Sequence, residues 1–204
     1  MQKTVIDHIN SNPLHQWLLS QVGKPDFPIK KDDVLKIVSG KLKLYRSTMY
    51  VRAQITSGSI LEIVDSKTIG KQGYNNLNQG RLENRAFFAD GIRVGYQASS
   101  NGNPILNGWQ YHDEEVHPAL RNGEVTIRQA SDQKIKIQVA ETLAIGVPVT
   151  NRRDAYELGN FVAFNGTDGM EWSLKSAEGA NYSDLTAPIV PWVEITVTGW
   201  ALEA

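Results

Sequence analysis

The stretch WQYHDEEVHPAL, residues 109–120, holds the densest set of groups that could do chemistry. His112, Asp113, Glu114, Glu115 and His117 could each ligate a metal or move a proton. A zinc-binding helix places two histidines four residues apart with a glutamate beside the first, so that both imidazoles share one face. Here the histidines are five apart and Pro118 follows directly. On a helix that spacing turns the rings away from each other; on a strand it sends them to opposite faces. A cupin-like site would want a close histidine pair on one strand with a nearby glutamate, and the chain has none. The expectation is an acidic, solvated loop, with no metal and no cofactor.

Other catalytic patterns are equally sparse. There is no Gly-x-Ser-x-Gly, and SLKS (173–176) reads as a strand fragment. His8 and His15 lie in an N-terminal helical region without an evident acidic partner. Asp32–Asp33 and Glu114–Glu115 are carboxylate pairs, but sequence neighbours rarely face each other, and both sit in loop-like polar stretches. Glycoside hydrolysis draws its carboxylates from separate elements. The absence of cysteine removes thiolate nucleophiles and thiolate ligands. No catalytic residue is assigned, and the chain is expected not to be an enzyme.

Binding signals are more informative. GKQGYNNLNQGR (70–81) has three glycines but neither the Gly-Lys-Ser/Thr ending nor the strand-to-helix setting of a phosphate loop. It reads as an adaptable amide-rich loop. On a sugar-binding face, such amides hydrogen-bond hydroxyls and an aromatic, here Tyr74, stacks on the ring. Trp109 and Tyr111 fall in a long polar loop, where aromatics favour interfaces. Trp109 is either an interface or ligand anchor or a residue tucked into its own loop.

These residues need elements to position them. In SNPLHQWLLSQVG, Asn12 can cap a helix, Pro13 suits its first turn and Gly23 its end. Leu14, Trp17 and Leu18 share one face. That helix either packs on the domain's own sheet or bridges to a neighbouring subunit. A shorter turn over 4–10 would precede it. KPDFPIKKDD (24–33) reads as a charged connector. β patterns then dominate: 41–56, 58–66, 84–99, the ribbon 122–144, 157–166, 170–176 and 190–203. In the ribbon, Val125, Ile127, Ile135, Ile137 and Val139 alternate with polar residues. Val193, Ile195 and Val197 do so near the end. With these, Phe161, Phe164 and Trp172 are the expected core. About eight β segments without strand–helix alternation predict an all-β fold, an antiparallel β-sandwich best fitted by a single jelly roll with a short N-terminal helix. The organisation is an N-terminal helical segment, 1–23, and one sandwich domain, 24–204. The loops 65–83 and 99–121 are long enough to suggest partner contacts.

The 204 residues suffice for one large core, with 21 basic and 22 acidic side chains giving a net charge of −1. That balance argues against a surface devoted to nucleic acid. No apolar run is long enough for a membrane helix, and MQKTVIDHINSN lacks the apolar core of a secretory signal.

Two stretches carry a family likeness. One is the L-x-NGE-x-x-I strand, Leu120 to Ile127, with the ribbon strand after it. The other is the closing P-x-V-P-W-V-E-I-x-V-x-G strand, Pro188 to Gly199. Together with the N-terminal helix and long loops, they resemble jelly-roll capsid proteins of tailless or membrane-containing bacteriophages. The likeness covers roughly a quarter of the chain and is one of layout. It implies a virion structural protein that self-assembles into an icosahedral shell, through homotrimers. Its partners would be copies of itself, with other virion proteins or an internal membrane, and no sequence-specific nucleic acid. The candidate subunit interface is Leu14, Trp17, Leu18, Trp109 and Tyr111. Double-jelly-roll members are longer, so a chain of this length implies one roll, as a shell, vertex or minor protein. The chain also lacks the Arg/Lys arm with which some capsid proteins neutralise a genome. The alternative is a carbohydrate- or receptor-binding sandwich, such as a virion spike or lectin-like module.

Overall fold

The computed structural model describes residues 12–25, 27–55, 60–71, 74–82, 86–99, 116–143, 155–182, 185–186 and 188–202. Among the described residues, eight antiparallel strands form two four-stranded sheets. They are β1 (Leu44–Gln54), β2 (Ile60–Val64), β3 (Phe87–Ser99), β4 (Glu124–Gln129), β5 (Asp132–Gln138), β6 (Tyr156–Phe164), β7 (Met170–Lys175) and β8 (Val190–Leu202). One sheet has the order β1-β8-β3-β6, the other β2-β7-β4-β5. Strands pair first with last, second with seventh, third with sixth and fourth with fifth. This nesting is one long hairpin rolled over on itself, the connectivity of a jelly roll.

The core lies between the sheets. Val125, Ile127, Ile135, Ile137, Val139, Phe164, Trp172, Val193, Ile195 and Val197 are all buried there. Val139 enters it from a 3-10 turn, Val139–Thr142, rather than a strand. Phe161 differs from expectation: it is half-buried on the outer face of the β1-β8-β3-β6 sheet. It lies three positions before Phe164, and an odd offset along a strand puts two side chains on opposite faces. Close approach at the end of β8 requires Gly199. A Cβ there would lie 2.7 Å from Phe87 Cε1 and 2.9 Å from Ala89 Cα.

Two helices cover part of that outer face. Helix α1 (Pro13–Gln21) is capped by Asn12, whose Oδ1 accepts from the Leu14 and His15 amides at 3.0 and 3.4 Å. Gly23 follows it with a φ of +90°, a conformation disfavoured for residues with a Cβ. Helix α2 (Lys31–Val38) corrects the reading of 24–33 as connector alone. Its Asp32 and Asp33 fill the first turn, where carboxylates complement the positive end of the helix dipole, and Asp33 accepts from Lys36 Nζ at 2.9 Å. Val34, Ile37 and Val38 form its buried face. With Leu14, Leu18 and Phe88 they make a second, smaller core. The outer face of the other sheet is solvated and of mixed charge, with Glu62, Arg128, Lys136, Glu171 and Lys175 exposed. Among the described residues no helix is long and apolar enough to cross a membrane.

Candidate functional site

Residues 74–76 of the amide-rich loop lie along the free edge of β1, which pairs with β8 within its sheet. The Arg52 amide donates to Tyr74 O at 2.6 Å, and the Asn76 amide to Tyr50 O at 3.4 Å. Asn76 adds its side chain: Oδ1 accepts from the Tyr50 amide at 2.9 Å, and Nδ2 donates to Thr48 O at 2.7 Å. A strand edge left open is a template for unwanted pairing, and this strap covers it. Asn75 holds the strap's own shape, donating to Ile69 O at 3.2 Å and accepting from the Leu77 amide at 3.1 Å.

Beneath the strap is a cleft of about 420 Å³. The first residues of β1 form one side of it, and Gly70, Lys71 and residues 75–78 form the other. Tyr45, Ser47 and Met49 point the same way at every second position, and only Met49 is covered. Met49, Leu77, Phe87 and Ala201, all buried, form an apolar floor. Ser47, Thr48, Lys71 and Asn78 form a polar rim. Tyr45, 36% exposed, is the aromatic wall. Tyr74, the residue the sequence suggests for stacking, does not line it. Its ring lies 6.0 Å from Trp192, with Lys71 Nζ 4.2 Å above it. No carboxylate lines the cleft among the described residues.

No family model, curated protein or solved structure matches this chain. What the sites can do must therefore be read from their own geometry.

A second cleft, about 650 Å³, opens beside α1 on the outer face of the helix-covered sheet. A bulge in β3 turns Asp90 outward to an ion pair with Arg46 and a 3.1 Å bond from Thr198 Oγ1. Arg46 also lies 5.5 Å over the Trp200 ring. These partners satisfy one another across three strands, which makes the group a brace. A third cleft, about 660 Å³, lies between the chain at 25–28 and the β4–β5 and β6–β7 turns.

The candidate interface residues fall into two groups. Leu14 and Leu18 are buried within the chain, and Trp17 packs with Phe27, Phe88 and Phe161 at ring distances of 5.7, 5.9 and 5.5 Å. The helix therefore packs on its own sheet, one of the two roles open to it. Trp109 and Tyr111 lie outside the described residues, as do His8, His112, Asp113, Glu114, Glu115 and the turn at 4–10. His117 is described. Its Nδ1 accepts from the Ala119 amide at 3.1 Å, capping a single helical turn, Pro118–Arg121, where a loop was expected. Its ring lies 4.6 Å from that of Tyr182 at a tilt of 41°, and burial pushes the Tyr182 hydroxyl up from its ordinary value of 10.0. Among the described residues no three His, Asp or Glu side chains gather as a metal-binding group.

Proposed function

We propose that this chain is a virion structural protein: a single jelly-roll subunit that packs with copies of itself, through trimers, into a closed shell. The observation that supports this best is the strand order β1-β8-β3-β6 facing β2-β7-β4-β5. It is the layout expected of the capsid proteins that the ribbon and closing strands resemble. A shell subunit works through repeated, self-complementary surfaces rather than a reaction centre. Other virion proteins or an internal membrane would be its further partners.

Jelly rolls also serve as lectin domains, so fold alone does not choose between assembly and ligand binding. The cleft under the strap favours the second reading, a carbohydrate- or receptor-binding module. Light scattering across protein concentration and salt, with electron microscopy of the same samples, separates the two. Trimers and closed particles are expected. A chain that stays monomeric under every condition moves the assignment to the binding module.

A further inference from the structure

We infer that the cleft lined by the start of β1, Gly70, Lys71 and the strap at 75–78 binds a saccharide ring carrying a carboxylate. This inference stands apart from shell assembly and can fail without it. About 420 Å³ lies within the range of small-molecule sites, which run from about 300 to 1,000 Å³. Its lining matches a pyranose face by face. One face of such a ring presents C–H groups, which suit an apolar floor of Met49, Leu77 and Phe87 and the half-exposed ring of Tyr45. The ring's periphery carries hydroxyls, which suit short, neutral hydrogen-bonding groups. Ser47 and Asn78 line the same cleft and supply such groups. Lys71 is the charged group of the described lining, and its ammonium is the group that would meet an anion. Its ammonium rests on the Tyr74 ring, a weak contact that a ligand carboxylate can outcompete.

Preorganisation supports the same reading. The strap is held by five hydrogen bonds from the side chains of Asn75 and Asn76 and the Arg52 amide, all spent within the protein. The rim groups are therefore presented by a fixed frame, which lowers the ordering cost of binding.

The test is titration calorimetry of the full chain with glucuronic acid, glucose and cyclohexanecarboxylic acid. Glucuronic acid is expected to bind in the millimolar range, and the other two about tenfold more weakly or worse, since each lacks one recognised feature. Lys71→Gln should reduce glucuronic acid binding to the level of glucose and leave glucose unchanged. Asn78→Ala should weaken both sugars. Both substitutions are at exposed positions, and unchanged thermal melts would exclude a folding defect. Absence of glucuronic acid binding overturns the inference. So does binding that Lys71→Gln leaves intact, or cyclohexanecarboxylic acid binding as tightly as the sugar acid.

Discussion

Gln129 grips the backbone of Asn165 with both ends of its side-chain amide. Nε2 donates to Asn165 O at 2.7 Å, and Oε1 accepts from the Asn165 amide at 2.8 Å. Nε2 also reaches Asp168 O at 3.1 Å. The residue is 3% exposed, so these bonds replace solvation that water cannot provide. They tie the end of β4 to the turn between β6 and β7. Gln129→Leu keeps the volume but leaves these backbone groups unpaired, and should cost about 2–4 kcal/mol in urea unfolding. Gln129→Glu should cost more at neutral pH, because a carboxylate oxygen would then face two carbonyl oxygens. That burden raises the folded-state pKa of the new carboxyl above its unfolded value. Stability of the Glu variant relative to the parent should therefore fall as pH rises through that range and recover in acid. A Glu variant as stable as the parent at neutral pH would show that water, not Gln129, satisfies the turn.

The neighbouring turn is strained. Ala130 and Ser131 connect β4 to β5 with φ values of +48° and +69°, the left-handed pair of a two-residue hairpin turn. Residues with a Cβ lose about 1–2 kcal/mol each in that conformation, while Asn and Gly tolerate it. The double substitution Ala130→Asn with Ser131→Gly should raise stability by about 1 kcal/mol or more, read as a higher melting temperature. An unchanged or lower melting temperature would mean that the Ala-Ser side chains make compensating contacts.

The eight strands were legible because most are half-buried and alternate, as Val193, Ile195 and Val197 do against Glu194, Thr196 and Thr198. Helix α2 was hidden by its length. Its apolar face, Val34, Ile37 and Val38, is a single turn and a half flanked by lysines, too short to stand out from a charged connector. Phe161 packs in the second core because alternation identifies two faces without saying that helices will bury the outer one. The cleft was only half visible. The 70–81 loop is conspicuous for its amides, but the Asn76 side chain serves the β1 edge and that of Asn75 the strap's own shape, while Tyr45 and Ser47 meet the loop only across a long sequence separation. No local pattern encodes that juxtaposition.

Asn76 makes a testable claim about the sheet edge. Its side chain pairs Tyr50 N and Thr48 O as a ninth strand would. Asn76→Ala should remove two hydrogen bonds at an exposed site, costing about 1–2 kcal/mol. It should also loosen the strap and bare an edge able to pair with another chain. Faster amide exchange at Tyr50 and concentration-dependent self-association are the expected readouts. Exchange at Tyr50 that matches the parent would show the strap to be held elsewhere.

The last prediction concerns α1, where packing and assembly make opposite demands. Leu18 is fully buried against the outer face of the sheet, and Trp17 covers Phe88 and Phe161. Phe88, itself fully buried, has the helices as its cover on that side. Leu18→Ala should therefore destabilise the isolated chain by about 2–5 kcal/mol, the range for emptying a leucine site in a packed core. Removing residues 1–23 should go further. It takes away Leu14, Trp17 and Leu18 together and bares an apolar sheet face that water cannot satisfy. The truncated chain should melt at a lower temperature with a broadened transition, and should bind a hydrophobic dye that the full chain does not. A helix that served only to bridge subunits would give the reverse pattern: an unchanged melt, with loss of assembly in light scattering. A truncated chain that unfolds as sharply and at the same temperature as the parent would refute the packing assigned to α1.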